Sequence, residues 1–129
     1  RLKTDLLKII INALSNKLNK TKIKWKKDKS MTIVLCSKGY PGSYTKGKIL
    51  KNINKIKVTK PDFIFHAGTR IKKHKILSDG GRVLNITSTG RTFFGIRKRI
   101  IKLIKELNWK QGFYRKDIGW RVINKDAHN

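Results

Sequence analysis

The part of this chain best suited to binding a ligand is residues 79–82, which read Asp79, Gly80, Gly81 and Arg82. The two glycines leave their backbone amides unhindered, and consecutive amides beside a guanidinium bind anions well. The arginine fork can also hold an anion through two parallel hydrogen bonds. The simpler interpretation is a tight hairpin turn with Arg82 on the surface, since Gly-Gly turns are common. The residues alone leave both interpretations open.

A second candidate segment is residues 38–47. Three glycines and one proline within this stretch predict a loop, because they interrupt any regular helix or strand. Its bare backbone would let a ligand or a neighbouring domain approach closely. The residues that we expect to line a binding site here are Lys38, Gly39, Tyr40, Pro41 and Gly42. The alternative is a turn that the proline stiffens and the tyrosine anchors, and the two interpretations are compatible.

A third candidate segment ends the strand predicted before it and contains His66 and Gly68. A lone histidine is more often a satisfied structural side chain than an acid or base. We therefore expect His66 to line the site and predict no catalytic residue in this chain. Arg115 and Asp117, near the C-terminal end, are expected to form an ion pair or to contact another domain.

The acidic residues argue against a metal site. All seven are isolated from one another along the chain, whereas magnesium takes oxygen ligands from grouped acidic side chains. No glycine-lysine segment that cradles phosphates opens a helix. The three histidines and one cysteine also lack zinc-ligand spacing. The sequence therefore predicts no metal site and no nucleotide site in this chain.

Cysteine content and hydropathy bear on location. The single cysteine, Cys36, excludes an internal disulfide and fits a reducing compartment. It lies in an apolar run, which is typical of an inert buried thiol. No apolar run approaches the ~20 residues of a membrane-spanning helix, and charged residues interrupt the N-terminus where a signal peptide would lie. We expect a cytoplasmic location.

Charge is the most unusual bulk property. Lys and Arg total 33 against 7 Asp and Glu, which gives a net charge of +26. Such a field attracts nucleic acid or anionic membranes. However, lysine supplies most of the cations, and the lysines are spread along the chain rather than clustered as in a binding face. Coding bias is a sufficient explanation, so we expect only non-specific contact with nucleic acid and no membrane partner.

The candidate binding segments lie between predicted helices and strands. Apolar residues recur at helical spacing in residues 4–19 and 92–107, which predicts two amphipathic helices. The predicted strands are residues 23–25, 31–37, 61–65, 69–73, 75–77 and 83–89. Residues 49–58 hold either a short strand or a turn. Short strands with a helix near each end predict an α+β domain with a small antiparallel sheet.

Four segments mix glycines with aromatic and charged residues and keep a fixed order. They read Lys38-Gly-Tyr-Pro-Gly-Ser-Tyr-Thr-Lys-Gly47, Phe65-His-Ala-Gly-Thr69, Gly80-Gly-Arg-Val-Leu-Asn-Ile-Thr87 and Phe113-Tyr-Arg-Lys-Asp-Ile-Gly-Trp120. In this order they resemble the C-terminal part of glycinamide ribonucleotide synthetase, also called phosphoribosylamine–glycine ligase. The resemblance covers about residues 2–123. It implies the C-terminal domain of an ATP-grasp ligase, with the second helix closing a compact antiparallel sheet.

The resemblance also implies a reaction. The full-length enzyme forms glycinamide ribonucleotide from 5-phosphoribosylamine, glycine and ATP in de novo purine biosynthesis, with ATP and magnesium as cofactors. In the family these sites precede the segment matched here, so we expect this chain to bind neither group and to be inactive alone. Arg82 would pair with the ribose phosphate.

The implied organisation has three parts. Residues 1–20 would be a connecting helix from the ATP-grasp core, residues 21–123 the C-terminal ligase domain, and residues 124–129 a frayed tail. The implied partners are the ATP-grasp core of the same ligase and 5-phosphoribosylamine. The alternatives are a basic nucleic-acid-binding module and an inactive fragment.

Overall fold

The computed structural model describes residues 1–126, and side chains for residues 1–124. The helices are α1 (Leu6–Leu14), α2 (Phe93–Leu107) and α3 (Trp120–Asp126). The strands are β1 (Lys29–Ser37), β2 (Asp62–His66), β3 (Thr69–Lys72), β4 (Lys75–Ser78), β5 (Arg82–Gly90) and β6 (Gly112–Phe113). Short 3-10 turns lie at Leu18–Lys20 and Ile53–Lys55. The predicted α+β class with an antiparallel sheet is confirmed.

The main sheet is antiparallel and has the strand order β2-β5-β1-β6. Strands β1 and β5 form its centre, with Ile33 opposite Ile86. Side chains alternate between the two faces of a strand, so one face carries the buried aliphatic residues of β1 and β5. A shift in register at Leu35 and Cys36 brings Cys36 opposite Arg82. Strands β3 and β4 form a separate hairpin.

Helix α2 covers the aliphatic face of this sheet. Its stripe of Ile96, Ile100, Leu103, Ile104 and Leu107 is buried, as the helical spacing predicted. The helix begins where the Thr92 hydroxyl accepts a hydrogen bond from the Gly95 amide at 3.2 Å, which satisfies one of the free N–H groups of the first turn. It ends at Asn108, whose left-handed backbone closes the last turn.

A polar cluster also fixes α2 to the sheet. The Arg99 guanidinium donates to the Asp62 carboxylate at 3.1 Å, the Ser88 hydroxyl at 2.8 Å and the Thr89 carbonyl at 2.5 Å. Ser88 is fully buried and donates to the same carboxylate at 2.5 Å. A buried polar group without a partner destabilises the folded state. The hydrogen bonds of this cluster therefore hold β2, β5 and α2 together.

The N-terminal region differs from its prediction. Helix α1 is shorter than the predicted 4–19, and none of its residues is buried. The strand predicted at residues 23–25 is wrong: Trp25 forms only an isolated bridge with Leu2. Within residues 49–58, Ile49 forms an isolated bridge with Leu77 and Ile53–Lys55 form a 3-10 turn. Leu50, beside that bridge, is buried in the core.

Two C-terminal elements were not predicted. Strand β6 pairs with the end of β1, and α3 packs against α2. Residues 124–126 of the expected frayed tail belong to α3, and residues 127–129 lie outside the described residues. Both elements are short, so they contain too few residues to show a period in the sequence.

Candidate functional site

Among the described elements, no helix packs on the second face of the main sheet, which we call the open face. Its side chains are those that alternate with the core residues: Thr32, Val34 and Cys36 of β1, Arg82, Asn85 and Thr87 of β5, and Phe63 and Phe65 of β2. The hydroxyls of Thr32 and Thr87 lie 2.8 Å apart across the strand pair. The rings of Phe63 and Phe65 stack with their centroids 6.0 Å apart.

A cleft of about 580 Å³ opens at one end of this face. Its lining is Val34, Tyr40, Ala67, Gly68, Gly81, Arg82 and Asn85. Three of the four glycine-rich segments therefore meet here, although they are separated along the chain. Val34 and Asn85 were not predicted as site residues. The alternation of side chains along a strand could have identified them, because it places both on the open face.

Close backbone contacts hold two of these segments together. A Cβ atom at Gly68 would lie 2.6 Å from the Arg82 carbonyl oxygen and 2.7 Å from the Gly80 Cα, closer than atoms can approach. The Gly68 amide donates to that carbonyl at 2.8 Å, and the Asp79 amide donates to the Gly68 carbonyl at 2.8 Å. Glycine is required at Gly68 because the two chains touch directly.

The segment 38–47 closes over the segment 79–82. A Cβ atom at Gly81 would lie 2.0 Å from Cδ2 of Tyr40, so the tyrosine ring rests directly on the glycine. The buried Ser37 donates from its amide to the Gly81 carbonyl at 2.8 Å and from its hydroxyl to the Gly80 carbonyl at 2.9 Å. The Gly-Gly backbone is therefore held rigidly between β1 and the Tyr40 ring.

The segment 79–82 is not the hairpin turn of the simpler interpretation. It joins β4 to β5, which pair with different strands. Within the described part of the chain, the amides of Gly80 and Gly81 donate no hydrogen bond and the Arg82 guanidinium has no acceptor. Arg82 is exposed at the cleft. Free amides beside a free guanidinium form an anion-binding arrangement.

Cys36 lies beside the positive charge of Arg82. Burial raises the pKa of its thiol, and the positive charge of Arg82, opposite it in the sheet, acts in the other direction and is the weaker influence. The thiol therefore stays protonated at neutral pH, and Cys36 contributes an uncharged side chain to the open face.

The segment 113–120 lines a groove of about 330 Å³ that adjoins the cleft. Phe113, Tyr114, Arg115 and Ile118 form one wall, and Tyr40 and Val34 are shared with the cleft. Arg115 donates to both oxygens of Asp117, at 3.1 and 2.6 Å. The hydrogen bond from Arg115 is the main reason that the pKa of Asp117 is lowered. The ion pair expected from the sequence is therefore present.

Some predicted site residues lie elsewhere. Lys38 is exposed and its amide donates to the Gln111 carbonyl, while Gly39 and Gly42 form the turn of the loop. His66 does not line the cleft, and its Nδ1 lies 2.9 Å from the Thr69 hydroxyl. Tyr40, Gly68, Gly81 and Arg82 line the cleft directly and Pro41 lines the adjoining groove. Gly80 lies against Gly68 and is not part of the cleft lining.

Among the described residues, no three His, Cys, Asp or Glu side chains come together as metal ligands would. Within the same residues, no helix has the length and hydropathy needed to cross a membrane.

Comparisons with known proteins agree on one family. Residues 30–121 match the family described as phosphoribosylglycinamide synthetase, C domain. The chain is 36% identical over its whole length to a phosphoribosylamine–glycine ligase of Brucella melitensis, covering 30% of that protein. It is 39% identical, over 97% of its length, to the chloroplastic ligase of Arabidopsis thaliana, covering 24% of it.

A solved structure supports the fold. The crystal structure of phosphoribosylamine–glycine ligase from Thermotoga maritima superposes with a TM-score of 0.63 at 28% identity. The superposition covers 84% of this chain and 27% of that one. The chain thus spans about a third or less of the length of the proteins it matches.

Proposed function

The chain belongs to the phosphoribosylglycinamide synthetase C-domain family, and we propose that it forms the C-terminal part of a phosphoribosylamine–glycine ligase. That enzyme is an ADP-forming carbon–nitrogen ligase of de novo purine biosynthesis. In this proposal the chain works in the cytoplasm against the ATP-grasp core of the same ligase. Matches to ligases from bacteria and a plant along nearly its whole length support the proposal.

ATP and magnesium would be held by the other part of the ligase. The carboxylates described in this chain are poorly suited to magnesium because most already bind cations or cap a helix. Asp62 accepts from Arg99, Asp117 accepts from Arg115, and Asp79 lies 3.7 Å from Arg70. Glu106 lies 3.8 Å from Lys102, and Asp5 caps α1. These side chains do not fit a magnesium–nucleotide site, so we assign this chain no step that uses either group.

The role proposed for the chain is to hold the phosphate of 5-phosphoribosylamine. The observation that carries it is the unpaired Arg82 beside the free amides of Gly80 and Gly81, at a cleft held rigidly by Ser37 and Tyr40. A phosphate there would accept two hydrogen bonds from the guanidinium, and the free amide of Gly81, which lines the cleft, could donate a further one. Fixing the phosphate would orient the amine toward an acyl group activated on the core.

The proposal is tested with a fusion in which the preceding part of the B. melitensis ligase is joined to Arg1 of this chain. We expect ADP release with glycine and 5-phosphoribosylamine from the fusion and none from the chain alone. Arg82→Ala should raise the KM for 5-phosphoribosylamine about 10- to 100-fold, because hydrogen bonds to a charged group are lost. The KM for ATP should not change.

Arg91→Ala is the matched control, since Arg91 is exposed and lies outside the cleft. It should leave both KM values unchanged. If Arg82→Ala also leaves the KM for 5-phosphoribosylamine unchanged, the phosphate is held elsewhere. Turnover by the isolated chain would contradict the proposed division of labour.

A further inference from the structure

Three residues of the open face form one row across the main sheet. Strand β1 lies between β5 and β6, and its Cys36 pairs with Arg82 on one side and with Phe113 on the other. Directly paired residues of antiparallel strands have their side chains on the same face. Because neighbouring strands lie about 4.8 Å apart, the backbone positions of Arg82 and Phe113 are separated by about 10 Å. The row therefore has a cation at one end, an uncharged thiol in the middle and an aromatic ring at the other end.

The cleft and the adjoining groove are continuous along this row. Arg82 lines the cleft, whereas Cys36 and Phe113 line the groove. Val34 and Tyr40 line both, so the two cavities share a wall. Together they form one elongated cavity, which we call the extended cleft. It is polar and cationic at Arg82 and mainly apolar at Phe113.

The apolar end of the extended cleft offers aromatic surface to a ligand. Phe113 is 38% exposed and is not among the residues that pack on the hydrophobic core. Within the described part of the chain, neither Phe113 nor Tyr114 contacts another aromatic ring. Tyr114 packs against the core, which fixes this wall. Arg115 beside it is already paired with Asp117. The groove is therefore suited to a flat, uncharged ring.

We propose that the extended cleft binds a nucleoside monophosphate, with its phosphate at Arg82 and its base against Phe113. Bases of any identity stack on aromatic side chains, and the guanidinium binds the phosphate through two hydrogen bonds. The ribose separates the phosphate from the base, as Cys36 separates Arg82 from Phe113. A monophosphate has no β- or γ-oxygens for magnesium to bridge, so this ligand needs no metal ion.

This inference rests on the proposed function, because it uses the same anion position that we assign to 5-phosphoribosylamine. The two ligands would exclude each other at Arg82, so the nucleotide would inhibit the ligase by competition. The other possible occupant of the groove is an apolar segment of the ligase core. Such a segment would fill the groove but leave the Arg82 guanidinium unpaired. Charge complementarity therefore favours a ligand that carries both an anion and a ring.

The test compares the binding of GMP and of ribose 5-phosphate to this chain by calorimetry. We expect GMP to bind at least about 10-fold more tightly, because only GMP has a base to stack. Phe113→Ala should remove this difference, and Phe113→Trp should retain it. Phe63→Ala is the matched control, since Phe63 is 37% exposed on the same face but lies outside the groove. It should leave the difference intact.

Two further measurements locate the base and its effect. In NMR spectra of the unaltered chain, GMP should shift the ring signals of Phe113 and Tyr114, whereas ribose 5-phosphate should not. In the fusion with the preceding part of the B. melitensis ligase, GMP is tested at saturating ATP. It should raise the KM for 5-phosphoribosylamine and leave kcat unchanged, because the two ligands compete for Arg82.

Equal affinity of the chain for GMP and ribose 5-phosphate would overturn the inference. A loss of GMP binding in Phe63→Ala as large as that in Phe113→Ala would overturn it in favour of non-specific attraction to the net positive charge. Binding of GMP to the chain but not to the fusion would overturn it in favour of a core segment that covers the groove. ADP release by the fusion without GMP tests the proposed function separately, so the two failures are distinguishable.

Discussion

Helices α1 and α2 carry the same kind of apolar stripe but have opposite surroundings. The stripe of α2 lies on the main sheet and is buried, whereas every stripe residue of α1 is exposed. Helix α2 is also fixed by Arg99 to Asp62 and Ser88, whereas the side-chain bond of Asn12 on α1 stays within its own segment. The contrast shows that a stripe predicts a helix and a contact face but does not identify the partner.

The largest expected effect comes from shortening one side chain in each stripe. Ile100→Ala should lower the free energy of unfolding by about 2–5 kcal/mol, because Ile100 is fully buried and a cavity would remain. Ile10→Ala should change it by less than about 0.5 kcal/mol, because Ile10 is 47% exposed. Urea unfolding of the isolated chain measures both. Equal losses would mean that α1 packs against the sheet in solution.

The next effect concerns the polar attachment of α2. Arg99→Met should lower the free energy of unfolding by about 1–3 kcal/mol, because it removes the guanidinium that donates to Asp62, Ser88 and the Thr89 carbonyl. Lys102→Met on the same helix is the control. Its pair with Glu106 is exposed, so the change should stay within about 0.5 kcal/mol. A neutral Arg99→Met would show that apolar burial alone holds α2.

The helix caps allow a matched comparison of smaller size. Thr92→Ala removes the cap of α2 and should lower the free energy of unfolding by about 1 kcal/mol. Asp5→Ala removes the hydrogen bond from the Lys8 amide that caps α1. It should reduce the helicity of α1 seen by NMR and leave global unfolding unchanged, because α1 adds little to the core. A comparable loss from both caps would contradict the separation of the two regions.

The smallest effect lies in the exposed pair of Arg115 and Asp117, outside both helices. The hydrogen bond from Arg115 lowers the pKa of Asp117 in the folded chain. Its contribution to stability is therefore present above the ordinary pKa of an aspartate and is lost as the pH falls through the lowered value. Arg115→Leu should return the pKa of Asp117 toward its ordinary value in an NMR titration. An unchanged pKa would mean that the pair does not persist in solution.

Much of the sheet domain could be predicted from local pattern. The helix capped by Thr92, the long strands β1 and β5, and the turn around His74 between β3 and β4 all follow from spacing and composition. These elements are long or strongly patterned, and their apolar faces meet one another. By contrast, β6 and α3 are stabilised by contacts with β1 and α2, which leave no periodic signal in such short stretches.

The candidate site was predictable in composition but not in arrangement. Glycines and an arginine in one segment predicted anion binding, and Tyr40 and Gly68 from the other predicted segments line the same cleft as Arg82. The contribution of Val34 and Asn85 depends on which strands are neighbours. The position of Arg82 opposite Cys36 depends on a shift in register at β1. His66 was expected at the site but turns to Thr69 instead.

The amino-acid order therefore specifies the elements, the family and the glycines whose missing side chains permit close approach, because these depend on local backbone freedom and residue type. The contacts in space specify which glycines touch, which arginine stays unpaired and which apolar stripe is buried. These depend on chain segments far apart in sequence, and a local pattern carries no information about its partner.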